Sequence, residues 1–133
     1  MIIDNKNIGP DFKPYIVAEL SANHGGSIIR AKESIKAASE AGVSAVKIQT
    51  YTPDTMTIKS NKIDFLIKEG IWAGSQLYDL YEQAHTPFEW HSELFNFAKE
   101  NEITLISSPF DESAVDLLEE NNVPAYKIAS FEI

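Results

Sequence analysis

Four short runs rich in β-branched and aromatic side chains, at residues 15–21, 45–51, 104–110 and 125–131, are separated by segments whose apolar residues recur every three to four positions. This order of strand, helix, strand, helix, strand, helix, strand constrains the chain more than any other feature. Strands joined through crossover helices lie parallel, so the chain reads as α/β, either doubly wound or a barrel.

The helical segments carry their own punctuation. The first, near 27–41, places Ile28, Ala31, Ile35 and Ala38 on one side, and Gly42 supplies a stop. Thr86-Pro-Phe-Glu89 predicts a helix start, with Thr86 as cap, Pro87 in the first turn and Glu89 completing a capping box. That helix continues through Trp90, Leu94, Phe95 and Ala98 to about residue 100, and His91 on it reads as a surface or packing residue. The third, near 112–120, uses Ala114, Val115, Leu117 and Leu118, and ends at Asn121, Asn122 and Pro124. Residues 52–85 are too long for a plain connection and hold a further helix near 75–84. Long insertions after a strand's C-terminal end are where α/β enzymes put substrate loops.

Composition narrows the function classes. The chain of 133 residues fits one domain, and 44% hydrophobic content is enough for a core. No run approaches the ~20 apolar residues of a membrane span, and the N-terminus lacks the pattern of a signal peptide. Cysteine is absent, which excludes disulfides, a thiolate nucleophile and a cysteine metal site. A cytoplasmic location is the expectation. With 11 basic and 20 acidic residues the formal charge is −9, which disfavours nucleic acid as a partner. An anionic small ligand stays open, because a few lysines in one pocket reverse the local potential.

Polar groups fall where a buried strand should be apolar. In the second run Lys47 and Gln49 share one face, alternating with Val46 and Ile48. Lys47 therefore lies at an open sheet edge or points into a functional pocket, because a buried ammonium needs an anion or hydrogen-bonding partners. Glu19 interrupts the first run, either to orient a substrate or move protons, or to pair with Lys47. Asn23 and His24 follow it. Gly25 and Gly26 form a turn, or also bring backbone N–H groups toward a phosphate at the helix start. Ser107 and Ser108 end the third run, and Lys127 and Ser130 lie in or just beyond the fourth. In a regular strand Lys127 and Ser130 face opposite sides, so they share a pocket only if the strand ends or bulges between them. No zinc-helix spacing, Ser-His-Asp set or P-loop is present.

Four of these segments, Ile16-Val-Ala-Glu-Leu-Ser-Ala-Asn-His-Gly-Gly26, Val46-Lys-Ile-Gln-Thr50, Ser107-Ser-Pro-Phe110 and Pro124-Ala-Tyr-Lys-Ile-Ala-Ser130, resemble the sialic acid synthase family in order and spacing. Tyr51-Thr-Pro-Asp-Thr-Met-Thr57, Leu77-Tyr-Asp-Leu-Tyr81 and Ala84-His-Thr-Pro-Phe-Glu-Trp-His91 look most like its pseudaminic acid synthase branch. Legionaminic and N-acetylneuraminic acid synthases are the near alternatives, and 3-deoxy sugar acid synthases a more distant one.

The resemblance implies a (β/α)8 TIM barrel, of which residues 1–133 form the N-terminal half, with about four strands. The later strands and a C-terminal antifreeze-like domain that completes the sugar site across a homodimer are expected to lie outside the chain. It further implies condensation of phosphoenolpyruvate with an open-chain amino-sugar aldehyde, here a 2,4-diacetamido-2,4,6-trideoxyhexose, with release of phosphate. A divalent metal (Mn, Mg or Co) is implied, its ligands beyond this chain. Lys47, Lys127, Ser108 and Ser130 match family positions that hold phosphoenolpyruvate. Glu19 matches an acidic residue near the reacting centre, and Asn23, His24 and Gln49 are further pocket candidates. The chain by itself is expected to be inactive, and a non-catalytic half-barrel assembly module is the reading from a different class.

Overall fold

Three of the four runs pair as expected. The computed structural model describes residues 1–130. A two-residue hairpin, β1 (Ile2–Ile3) and β2 (Lys6–Asn7), precedes the parallel sheet. That sheet has the order β3 (Val17–Glu19), β4 (Ala45–Thr50), β5 (Thr104–Pro109). Helix α1 (Ile28–Glu40) crosses from β3 to β4. Between β4 and β5 run α2 (Pro53–Met56), a 3-10 turn at Ile63–Phe65, α3 (Leu77–Ala84), a second 3-10 turn at Phe88–Trp90 and α4 (His91–Glu100). Helix α5 (Glu112–Glu120) follows β5.

Period-two alternation sends Leu20, Val46, Ile48 and Leu105 to one face of the sheet, where Ala31 and Ile35 of α1 and Leu94 and Ala98 of α4 pack on them. The opposite face receives Glu19, Lys47, Gln49, Ile106 and Ser108. The sheet therefore has a helix-covered apolar side and a side that carries the unusual polar residues.

All three crossover helices end in one motif. Gly42, Glu102 and Asn122 adopt left-handed backbone, with φ of 76°, 54° and 54°. Their N–H groups bond to Ser39, Lys99 and Glu119, while the next residues, Val43, Ile103 and Val123, bond back to Ala38, Ala98 and Leu118. This is the Schellman arrangement, which satisfies the last helical carbonyls and turns an apolar residue into the core. Only the first has the glycine that such a backbone favours.

Three expectations are corrected. The first strand covers only Val17–Glu19, because Ser21 takes a φ of 45° and ends it. The fourth run forms a single parallel bridge, Ser107 to Tyr126, with the Lys127 N–H donating to the Ser107 carbonyl at 3.0 Å. Among the described residues this segment has a neighbour on one side only, and Phe131 lies outside them. Thr86 does not cap a helix. It is 2% exposed, the chain passes through the 3-10 turn, and α4 begins at His91. The hairpin was not expected, since its strands are two residues each. Its Asp4-Asn5 turn has positive φ at both positions, as a type I′ turn requires. It floors the sheet: Lys6 Nζ donates to the Ser44 carbonyl, and Thr104 Oγ1 donates to Asp4 Oδ2, each at 2.8 Å.

Two histidines are fully buried. His24 packs edge-on to Trp90 with ring centroids 5.4 Å apart, and His91 opens α4. Burial lowers both pKa values below 6.5. For His24 the Ala84 carbonyl opposes this and His85 adds to it, and for His91 the Pro87 and Phe88 carbonyls and Glu89 oppose it. A depressed histidine pKa means the unfolded chain binds more protons. The stability it confers is therefore full above pH 6.5 and is lost as pH falls toward the lowered values. NMR titration of the imidazoles should give midpoints below 6.5 for His24 and His91; midpoints at or above that value contradict the burial described. The helix ends make a second prediction. No atom stands within 4 Å of a Cβ built on Gly42, so Gly42→Ala adds backbone strain alone. It should cost about 1 kcal/mol, whereas Glu102→Gly should stabilise by a few tenths to about 1 kcal/mol. Chemical denaturation reads both, and equal signs would refute the shared motif.

Candidate active site

Strand β4 is paired with β3 on one edge and β5 on the other at Lys47, so Lys47 does not lie at an open edge. Register places Glu19 beside Lys47 and Lys47 beside Ile106, and one step on it places Gln49 beside Ser108. Lys47 Nζ lies 2.5 Å from Glu19 Oε2, with the lysine side chain 12% exposed and the carboxylate 43%. The ammonium is thus largely desolvated and held by a carboxylate that reaches solvent. The other oxygen, Glu19 Oε1, accepts from the Ser21 N–H at 3.1 Å and from the Ser21 hydroxyl at 2.8 Å. Ser21 was missed as a site residue. Its left-handed backbone folds both donors back onto the preceding carboxylate, and such unfavourable conformations in non-glycine residues concentrate at functional sites.

The row nearer the strand ends holds Gln49 and Ser108, half-buried and buried. The register aligns Gln49 with Ser108, and Lys127, one residue beyond the Ser107–Tyr126 bridge, is tied to the Ser107 carbonyl by its N–H. Lys127 and Ser130 are exposed, and among the described residues no hydrogen bond or ion pair joins either to the Glu19–Lys47 pair.

The β3–α1 turn does less for ligand binding than its sequence allowed. Asn23 Nδ2 donates to the Leu20 carbonyl at 2.9 Å. The Gly25 N–H bonds to Ala22 at 3.0 Å, and the Gly26 N–H donates to His24 Nδ1 at 3.1 Å. Both glycine donors are used inside the turn, so the turn reading holds and the phosphate reading loses its donors. A Cβ on Gly25 would meet only the movable guanidinium end of Arg30, so it is the φ of 54° that favours glycine there. His24 faces protein on all sides.

Behind the site, on the helix side, a buried polar chain joins three elements. His91 Nδ1 is 3.0 Å from the Pro87 carbonyl, and Nε2 is 2.8 Å from Thr50 Oγ1. Thr50 Oγ1 is 2.6 Å from Ser107 Oγ, which is also 3.2 Å from the Ile48 carbonyl. From the sequence His91 read as a surface or packing residue, and it is buried; Ser107 stood out only as one of the serines ending the third run, and Thr50 not at all as a site residue. The available signal was a histidine on the same helical face as Leu94 and Ala98. Above the strand ends, Tyr51 is buried edge-on against Tyr81 and Phe110, and burial beside Tyr81 pushes its hydroxyl up to about 12.

A cation fixed by a carboxylate, an amide and a hydroxyl in adjacent rows, and a second lysine one segment over form a surface suited to an anionic small molecule. Among the described residues no three His, Cys, Asp or Glu side chains gather as they would around a metal ion. No described helix is long and apolar enough to cross a membrane.

Over 126 residues the chain is 54% identical to pseudaminic acid synthase of Campylobacter jejuni, covering 95% of this chain and 37% of that protein. It is 52% identical to pseudaminic acid synthase of Helicobacter pylori, covering 90% and 35%. Identity to N,N'-diacetyllegionaminic acid synthase of Legionella pneumophila is 34%, covering 94% and 35%. The chain thus spans little more than a third of the length of these relatives. The fold superposes on an N-acetylneuraminic acid synthetase from Leptospira borgpetersenii with a TM-score of 0.81 at 26% identity, covering 99% of this chain and 41% of that one. Its parallel α/β sheet is accordingly part of a sialic acid synthase TIM barrel. A model of the NeuB family matches residues 34–133, and the chain belongs to that family.

Proposed function

We propose that the whole protein condenses phosphoenolpyruvate with a 2,4-diacetamido-2,4,6-trideoxyhexose to give pseudaminic acid and phosphate. The observation that carries this reading is the contrast in identity: 52–54% to pseudaminic acid synthases, against 34% to legionaminic acid synthases. The Lys47–Glu19 pair supports it as a preformed anion site on the polar face of the sheet. In this reading the enol carbon attacks the aldehyde and forms the new C–C bond. The aldehyde C=O π pair moves onto oxygen, which takes up a proton; water adds at the carbon bearing phosphate, and that tetrahedral adduct collapses to a ketone as its C–O bond to phosphate breaks. Lys47 and Lys127 hold the carboxylate and phosphate of phosphoenolpyruvate, with Ser108, Ser130 and the Gln49 amide as donors. Glu19, anchored by Ser21, orients Lys47 and accepts a proton from the attacking water. Asn23 shapes the rim through its bond to Leu20, and His24 supports that rim from below.

A divalent metal belongs to this reading only for the whole protein. The described residues offer no ligand set for it, and no step above passes through it. A homodimer, an antifreeze-like domain outside this chain and a cytoplasmic setting also belong to the reading.

Two measurements test it. Phosphate release by the whole protein should be faster with the diacetamido-trideoxyhexose than with N-acetylmannosamine, and the reverse preference would overturn the assignment. Lys47→Met or Lys127→Met should weaken phosphoenolpyruvate binding about ten- to a hundredfold, the loss of one hydrogen bond to a charged group. Methionine keeps most of the apolar stem, so the melting curve should change little. Unchanged affinity in both variants would leave Lys47 as a purely structural partner of Glu19.

A further inference from the structure

We infer that His91 is a positioning residue, which acts through Thr50 and Ser107 to fix the strand ends that carry Gln49, Ser108 and Lys127. The inference rests on the phosphoenolpyruvate reading only for what those three residues bind.

The hydrogen bonds determine one consistent arrangement. The Pro87 carbonyl can only accept, so His91 Nδ1 carries the proton and, in the neutral ring, Nε2 is an acceptor. The Thr50 hydroxyl therefore donates to Nε2, and its oxygen receives the Ser107 hydroxyl proton, with the Ile48 carbonyl at 3.2 Å as a weaker second acceptor. His91, Thr50 and Ser107 are each fully buried, so water cannot substitute for a lost member.

The chain of bonds lies where it matters. Thr50 and Ser107 are directly adjacent to Gln49 and Ser108, and the pleat sends those neighbours to the opposite, polar face. The Ser107 carbonyl also accepts the Lys127 N–H at 3.0 Å. Ser107 thus connects His91, through its hydroxyl, to the segment bearing the second lysine, through its backbone. Every candidate in the outer row of the site is one peptide unit or one hydrogen bond from this relay. Trp90, the preceding residue, packs on His24 in the β3–α1 turn, so the start of α4 braces that turn as well.

Thr50→Val removes the hydroxyl at nearly constant shape, and Thr50→Ser keeps it. In the whole protein Thr50→Val should raise KM for phosphoenolpyruvate about five- to tenfold with kcat within about twofold, and Thr50→Ser should restore KM. A structural role alone would lower the active fraction and hence kcat while leaving KM unmoved; that outcome, or failure of serine to restore KM, overturns the inference. A second readout does not depend on the substrate. The amide resonances of Gln49, Ser108 and Lys127 in the unliganded whole protein should shift in Thr50→Val and return in Thr50→Ser. If the wild type does not turn over phosphoenolpyruvate, the functional reading fails and these resonances alone decide the inference: their displacement and return support it, and unmoved resonances overturn it.

Discussion

An ammonium group halfway along a strand paired on both edges has to be matched by an anion, and much of this structure follows from that requirement. Lys47 occupies the position, and Glu19 on the adjoining strand meets it at 2.5 Å. For the carboxylate to be available β3 must stay in register with β4 and then end, so that Ser21 can turn back and hold the second oxygen. The pair is asymmetric, with the cation drier than the anion. An incoming anionic ligand can therefore approach a charge whose desolvation has already been met by folding.

The two faces of the sheet divide the work between packing and chemistry. On the helix side Ile48, Val46 and Leu105 meet Ile35, Leu94 and Ala98 in a dry core. Near the strand ends that core gives way to the hydroxyl–imidazole chain from His91 to Ser107. A buried polar network costs stability unless every member is satisfied, and here each hydroxyl and ring nitrogen has a partner. Side-chain bonds are directional where aliphatic contacts are not. They fix the relative offset of β4 and β5 at the end where the polar face carries Gln49 and Ser108.

Much of this was legible in the sequence, and the exceptions have physical causes. Strands β4 and β5 and the helices α1, α4 and α5 were visible because a buried strand and an amphipathic helix leave opposite periodicities. Lys47 and Glu19 were visible because a charge inside an apolar strand needs an open edge, a partner or a pocket. The fourth run had strand composition, yet pairing depends on neighbours that composition does not reveal, and it makes one bridge. The hairpin escaped notice because two-residue strands carry no period. Thr86 had the residues of a capping box, but its burial beneath the 3-10 turn outweighed local preference. The roles of Thr50, Ser107 and Ser21 were invisible for another reason: a hydroxyl in a strand reads the same whether it faces water, packs, or links a relay.

The floor made by the N-terminal hairpin has a consequence for the order of folding. The bond from Thr104 to Asp4 closes a separation of 100 residues, and the one from Lys6 to Ser44 closes 38. Contacts so distant along the chain form only after the intervening segments have surrendered their conformational freedom. The α1 and α4 crossovers can dock on the sheet before the Thr104–Asp4 bond forms, through contacts of shorter span than its 100 residues. The Thr104–Asp4 contact is thus among the last to be made, and through it the hairpin acts as a latch on a sheet that has already assembled above it.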